Sequence, residues 1–210
     1  MSDSNAFFMP SEWSEHKCCW MAWPPEQRRD IYPNLEPMRR QYANVASTIA
    51  EFEPVMLLAT TETVDDARRY CSRQVEVIEQ ALDDAWLRDI GPTFVLDKTK
   101  QLSGVDWQFN CWGDPHSAHQ LDATIASVIN ESAGANNLPA SIFLEGGAIH
   151  SDGDGLLLTT ENVVLNPNRN PGLTRLDAEG LFRDYLGAEK VVWLDHALEY
   201  DDTDGHVDNL

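Results

Sequence analysis

Basic residues are scarce in this sequence, which has 15 lysines and arginines against 35 aspartates and glutamates and a formal net charge of −20. Proteins that bind nucleic acids neutralise phosphate groups with patches of Lys and Arg, so nucleic acid is a poor partner for this chain. The acidic charge would attract a small cationic molecule, or it would serve only to keep the surface solvated.

Long apolar runs are also missing. No stretch approaches the length that spans a bilayer, and residues 1–10 lack the basic region and apolar run of a signal peptide. These absences predict a cytoplasmic protein with no membrane partner. The four cysteines, at positions 18, 19, 71 and 111, form no CxxC pair, which argues against a zinc site or a disulfide framework. No linker-like tract interrupts the chain, so we expect a single domain over residues 1–210.

What the sequence does contain is the hydrophobic pattern of a globular α/β protein, with 42% hydrophobic residues. Apolar residues at helical spacing predict four helices, and short apolar runs between them predict buried strands. The predicted helices cover residues 34–52, 61–72, 117–132 and 174–187. The predicted strands cover residues 13–23, 55–59, 75–78, 93–96, 105–110, 141–144, a hairpin of 148–150 with 156–160, and 190–194.

Acidic residues cluster in loops that follow three of these strands, at Asp89, at Glu145 and at His206 with Asp208. Their similar spacing along the chain suggests repeated modules whose loops converge on one site. The densest cluster runs over residues 201–208. If residues 206–208 are extended, His206 and Asp208 point to the same face and could engage one bound group.

Two kinds of chemistry fit three carboxylates and one imidazole. Carboxylates could clamp a planar guanidinium group through paired hydrogen bonds, with His206 moving protons. Alternatively, the same side chains could bind a divalent metal ion for hydrolysis. The metal reading is weaker, because neither the EF-hand spacing nor an HExxH pattern is present.

Each residue also has an ordinary structural interpretation. Asp89 could form an ion pair with Arg88 in a turn, and Glu145 could be a turn residue followed by two glycines that allow positive φ. Trp86 is by default a core residue. The pair of His206 and Asp208 is the one for which function outweighs structure without further support.

Four blocks in register also resemble a known family. They resemble the signature blocks of the agmatine deiminases, members of the guanidino-modifying pentein superfamily, and the likeness extends from Met9 onward. It implies a pentein-type pseudo-fivefold α/β propeller, here incomplete, with roughly the first three modules. The blocks are Trp86–Phe94, Glu145–His150, Asn166–Pro171 and Asp202–Asn209.

The resemblance implies a role for each candidate residue. Asp89 and Asp208 would grip the guanidinium of the substrate, and Trp86 would pack along it. Glu145 would hold His206, the general acid and base. The implied reaction is hydrolytic deimination of agmatine, a step toward putrescine, through a covalent cysteine thiouronium intermediate and without metal or organic cofactor. A homo-oligomer is left open.

The resemblance also requires a nucleophilic cysteine that none of the four cysteines matches in context. We therefore expect a chain truncated at its C-terminus, inactive as it stands, from a full-length enzyme. Three alternatives stay open. They are a bacterial-type peptidyl-arginine deiminase, which usually carries a secretion signal, a carboxylate-rich metal-dependent hydrolase, and a non-catalytic guanidine-binding protein.

Overall fold

Three β-sheets and six α-helices make up the regular structure of the described residues, so the chain is the α/β protein that its hydrophobic pattern predicts. The computed structural model describes residues 6–30, 33–196, 198 and 200–210. Within them, no helix is both long enough and apolar enough to cross a membrane. The strands are β1 Phe7–Phe8, β2 Cys19–Ala22, β3 Val55–Ala59, β4 Val75–Glu79, β5 Thr93–Asp97, β6 Leu102–Gln108, β7 Asn136–Phe143, β8 Ile149–Ser151, β9 Leu156–Thr160 and β10 Lys190–Leu194; the helices are α1 Glu36–Ile49, α2 Val64–Tyr70, α3 Leu87–Ile90, α4 Ile125–Ala133, α5 Glu161–Val164 and α6 Arg175–Leu186.

The chain divides into two compact units. The first unit comprises the described residues of Met1–Ser14, Arg88–Ala118 and Ala123–Leu210, and the second comprises those of Glu15–Leu87 and His119–Asp122. The single domain expected from the sequence stays a prediction.

The second unit is built on the parallel sheet β2-β3-β4. Its central strand, β3, is a nearly continuous apolar run that is buried along its length, as expected of a strand covered on both faces. Helix α1 buries Arg39, Ala43 and Ala46, whereas Val45 and Phe52 are exposed. The helix predicted over residues 34–52 therefore ends earlier than expected, at Ile49, and Phe52 lies beyond it.

The first unit contains two sheets, in the orders β1-β5-β6-β7 and β10-β9-β8. The predicted hairpin is confirmed, because β8 and β9 pair antiparallel. Helix α6, predicted over residues 174–187, begins at a capping box in which Thr174 and Asp177 bond reciprocally, and it ends at Gly187 in the left-handed conformation.

Two predictions near the ends of elements were wrong. The helix predicted from residue 117 begins only at Ile125, after a 3₁₀ turn over Asp122–Thr124. Asp122 is buried and accepts hydrogen bonds from the backbone N–H groups of Asp83 and Asp84, a long-range contact that favours a turn there. Trp13, predicted in a buried strand, is 72% exposed, and β2 begins at Cys19.

Candidate functional site

The three candidate segments occupy equivalent places in the topology. Strands β4, β7 and β10 each pair parallel with the strand before them, with a helix in each connection. Each is followed by a short helical turn that holds a candidate residue at or near its start. Asp89 lies in α3, Glu145 precedes the 3₁₀ turn Gly146–Ala148, and His206 precedes the 3₁₀ turn Val207–Asn209. The repetition predicted from the spacing is therefore present in the topology, as a parallel strand pair followed by a helical turn that carries a candidate residue.

The imidazole of His206 lies between carboxylates on both of its nitrogen sides. Nε2 is 3.5 Å from Oε2 of Glu145, and Nδ1 is 3.6 Å from Oδ1 of Asp89. The side chain of His206 is only 2% exposed. Neither Nε2 of His206 nor Oε2 of Glu145 makes a hydrogen bond within the described residues. Buried polar atoms without partners are rare in folded proteins, and hydrogen bonds at catalytic sites are often long before substrate binds.

Glu145 is held in place by a buried arginine that the sequence analysis did not single out. Nε of Arg169 donates to Oε1 of Glu145 at 3.0 Å, and neither side chain is more than 1% exposed. The same guanidinium also binds Asp204 and donates to the carbonyl oxygen of Thr203 at 3.2 Å. Arg169 thus ties Glu145 to the loop that carries His206, and it leaves Oε2 of Glu145 directed at the imidazole.

Asp89 is anchored through both of its oxygens. Oδ2 accepts a hydrogen bond from Nε1 of Trp112, and Oδ1 accepts one from the backbone N–H of Gly147, each at 3.0 Å. The structural interpretation of Asp89 predicted an ion pair with Arg88. Arg88 instead pairs with Glu12 at 2.7 Å.

The two glycines after Glu145 are explained by lack of space rather than by backbone conformation. Neither Gly146 nor Gly147 has a positive φ, so that interpretation was wrong. A Cβ on Gly147 would lie 2.5 Å from Nδ1 of His206 and 2.8 Å from Oδ1 of Asp89. A Cβ on Gly146 would overlap the carbonyl oxygen of Arg88. The segment can approach the imidazole this closely only because it has no side chain.

The loop before His206 is organised by Asp201. Its carboxylate accepts hydrogen bonds from the backbone and hydroxyl of Thr203, from the backbone N–H of His206 and from the side chain of Asn209. These hydrogen bonds outweigh the effect of partial burial and lower the pKa of Asp201. Thr160 fixes the same loop from β9 by donating to the carbonyl oxygen of Gly205 at 2.7 Å.

Asp208 reaches the imidazole by a different geometry from the one predicted. Residues 207–209 form a 3₁₀ turn, so the extended conformation expected for residues 206–208 was wrong. The turn nevertheless leaves Oδ1 of Asp208 at 3.9 Å from Nδ1 of His206, with the Asp208 side chain 39% exposed.

Trp86 belongs to the second unit and lies directly before α3. It is 43% exposed, so its interpretation as a core residue was wrong.

The electrostatics of the site favour a protonated imidazole. Burial alone would lower the pKa of His206, but its contact with Glu145 and the nearby charges of Asp89 and Asp208 raise it above the ordinary value. Burial raises the pKa of Asp89, although His206, Trp112 and the Gly147 N–H act in the opposite direction.

Metal-binding geometry occurs elsewhere in the chain. Among the described residues, one group brings three His, Cys or carboxylate donor atoms within 4.8 Å of one another, and it consists of His16, Cys19 and Glu53. The carboxylates around His206 are not part of such a group.

Trp112, Arg169 and Asp201 also contribute to the site, although no sequence pattern predicted them. The block Asn166–Pro171 was identified only as part of the family resemblance, without a role for Arg169. A better signal was available in the charge pattern, because Arg169 is an isolated cation in a strongly acidic chain and lies in a block shared with the resembled family.

Comparison with known proteins finds a matching family and similar curated proteins. A model of the Porphyromonas-type peptidyl-arginine deiminase family matches residues 8–210. The chain belongs to this family. Within the curated relatives, the agmatine deiminase of Stutzerimonas stutzeri is 43% identical over 214 residues, which is 98% of this chain and 57% of that protein.

Solved structures of the same kind match the fold. The agmatine deiminase of Enterococcus faecalis superposes with a TM-score of 0.92 at 33% identity, over 100% of this chain and 60% of that one. A cysteine-to-serine variant of the C. jejuni agmatine deiminase with substrate bound gives a TM-score of 0.87 at 27% identity, over 97% of this chain and 61% of that one. These likenesses confirm the pentein-type α/β fold and the resemblance to agmatine deiminases. This family member spans about three fifths of the length of those relatives.

Proposed function

We propose that the whole protein is a hydrolase that deiminates agmatine to N-carbamoylputrescine and ammonia. The observation that carries this proposal is the buried imidazole of His206 between Glu145 on one side and Asp89 and Asp208 on the other. Carboxylates in such an arrangement suit a planar cation with several N–H donors. The relatives named agmatine deiminase supply the substrate that fits this description.

In this proposal Asp89 and Asp208 bind the guanidinium group. The packing of Trp86 along the substrate stays a prediction from the family resemblance. Asp89 is preorganised by Trp112 and Gly147, so its orientation does not have to be established when substrate arrives. Glu145 orients His206, and Arg169 fixes Glu145 by donating to its other oxygen.

The reaction would proceed in two halves through a thiolate. The thiolate forms a C–S bond with the guanidinium carbon, His206 gives its proton to the leaving nitrogen, and ammonia departs as the C–N bond breaks. Neutral His206 then takes one proton from water, whose oxygen adds to the same carbon. The C–S bond breaks as the remaining hydroxyl proton is lost to solvent, which releases the ureido product and regenerates the thiolate and protonated His206. Covalent catalysis of this kind divides one difficult step into two easier ones.

The thiolate is the part of this mechanism that the four cysteines of the chain do not provide in the family context. Cys18, Cys19 and Cys71 lie in the second unit, and Cys111 lies in a turn after β6. We propose that the nucleophile belongs to the two fifths of the relatives' length that this chain does not span, and that the chain alone is inactive.

The test is product analysis with protein expressed from the full reading frame, incubated with agmatine in excess chelator. We expect ammonia and N-carbamoylputrescine in equal amounts. His206→Ala should lower kcat at least about 100-fold, the lower end of what a positioned acid and base contributes. Cys111→Ser is the matched control and should keep full activity. Full activity in His206→Ala would rule out the mechanism, and loss of activity to the chelator would favour a metal-dependent hydrolase.

A second candidate, peptidyl-arginine deimination, is favoured by the description of the matching family. The two activities use the same chemistry on the guanidinium and differ in what the far end of the substrate carries. To separate the two activities, kcat/KM is measured for agmatine and for a peptide that contains arginine. The substrate with the larger kcat/KM identifies the activity.

Cytoplasmic location, a place in putrescine biosynthesis, assembly into a homo-oligomer, and the lack of nucleic acid and membrane partners stay predictions from the sequence. So does the expectation that the reaction needs no metal or organic cofactor.

A further inference from the structure

Three potential metal ligands of different chemistry meet in the second unit. Nδ1 of His16 lies 3.3 Å from Oε1 and 3.2 Å from Oε2 of Glu53, and Sγ of Cys19 lies 2.9 Å from Oε1 of the same carboxylate. All three donor atoms lie within 4.8 Å of one another. This group is separate in sequence and in chemistry from the residues around His206.

The backbone fixes the position of this group. Cys19 is the first residue of β2, it is paired with Val55 of β3, and its N–H donates to the carbonyl oxygen of Pro54 at 2.9 Å. Glu53 directly precedes that proline, so strand pairing sets Cys19 beside Glu53. His16 lies three residues before Cys19 and contacts both oxygens of the same carboxylate.

The distances suit a tetrahedral metal ion. With zinc bonds of about 2.0–2.3 Å to N, O and S ligands, two ligand atoms of a tetrahedron lie about 3.4–3.6 Å apart. The distances from Nδ1 of His16 to the two carboxylate oxygens of Glu53 are shorter than this range by a few tenths of an ångström at most. The contact between Cys19 and Glu53 has to widen, which rotation of the Glu53 side chain allows because it is 23% exposed.

We propose that His16, Cys19 and Glu53 form a Zn²⁺ site with three protein ligands and a fourth position open to solvent. Binding exchanges the hydrogen bond between Cys19 and Glu53 for two bonds to the metal, and the thiol proton is released to solvent. A thiolate and an imidazole select Zn²⁺ over Mg²⁺ and Ca²⁺, which prefer oxygen ligands. His16 is 44% exposed and gives the ion an entry path.

The experiment is titration of the chain with Co²⁺, followed by displacement with Zn²⁺. We expect one equivalent of Co²⁺ to produce the charge-transfer absorption of a thiolate ligand, and Zn²⁺ to abolish it because zinc binds such sites more tightly. Cys19→Ser should eliminate the band and lower Zn²⁺ affinity more than about 100-fold, beyond the effect of losing an outer-shell partner. Cys18→Ser, at the neighbouring position, is the matched control and should retain both.

A second variant separates ligation from folding, since Cys19 is part of a strand. His16→Ala changes an exposed residue, so the thermal unfolding curve should stay unchanged while Zn²⁺ affinity falls about as far as in Cys19→Ser. The proposal is wrong if no saturable binding occurs, if Cys18→Ser loses the band as well, or if His16→Ala binds Zn²⁺ as tightly as the unaltered chain.

Discussion

Among the described residues, each unit buries one arginine among carboxylates, and the two arginines differ in what their partners do. In the second unit, Arg39 donates to the carbonyl oxygen of Pro24 and pairs with Glu26 and Asp66. In the first unit, Arg169 donates to Thr203 and pairs with Asp204 and Glu145. The side chains of Arg39 and Arg169 are 5% and 0% exposed.

The difference lies in the carboxylates. Glu26 and Asp66 are 44% and 34% exposed, so water reaches both carboxylates, and the second oxygen of Asp66 accepts a hydrogen bond from the exposed Arg69 at 2.7 Å. Glu145 is 1% exposed, and its second oxygen faces the imidazole of His206. A buried arginine alone therefore indicates a structural anchor. A buried arginine that holds a buried carboxylate against a titratable group indicates a site.

The largest effect should follow from Arg169→Met. Removing this guanidinium leaves Glu145 buried without its partner, which typically destabilises a protein by about 3–5 kcal/mol. Urea unfolding of the chain measures this loss. Arg169→Lys keeps the charge but not the fork of donors. Its free energy of unfolding should therefore lie between those of the unaltered chain and Arg169→Met. A loss no greater than that of the equivalent change at Arg39 would contradict the distinction between the two arginines.

Arg39→Met should have a smaller effect. Glu26 and Asp66 can return to water, and the main loss is the pair of hydrogen bonds to the carbonyl oxygen of Pro24, worth roughly 1–3 kcal/mol. The same unfolding experiment measures it. In the full-length protein, kcat per folded molecule should stay unchanged, and a change in its pH dependence would show that Arg39 also serves the site.

The smallest effect should come from Asp66→Asn. Exposed ion pairs contribute about 0–1 kcal/mol, so the free energy of unfolding should change by less than about 1 kcal/mol. Salt provides the check, because added salt screens exposed charges and should reduce even this difference. A loss comparable to that of Arg39→Met would show that Asp66 is as tightly coupled to its arginine as Glu145 is to Arg169.

Much of the fold could be predicted from local signals. Strands β3 and β10 have the predicted bounds, 55–59 and 190–194, and α6 lies within the predicted range 174–187. Elements whose limits depend on distant contacts were predicted less well. The start of α4 depends on hydrogen bonds that Asp122 accepts from residues 38 and 39 positions away, which no local pattern contains.

The candidate site shows the same division. The residues with unusual local density, such as His206 and Asp208, could be found from the sequence, and resemblance added Asp89 and Glu145. Arg169 and Asp201 act through contacts that form only on folding, since Arg169 meets a carboxylate 24 positions away and Asp201 binds the backbone of its own loop. The steric requirement for glycine at position 147 could not be predicted either, because it arises from three side chains that converge on this residue only in the folded chain.

The central claim is that Glu145 and its neighbours raise the pKa of His206, and an NMR titration of the His206 imidazole tests it most directly. The raised pKa means that the stability gained from protonating His206 is fully present below its ordinary value, about 6.5, and is lost as the pH rises through the raised value. Glu145→Gln should lower the pKa of His206, whereas Asp66→Asn should leave it unchanged. An unaltered pKa of His206 in Glu145→Gln would contradict the account.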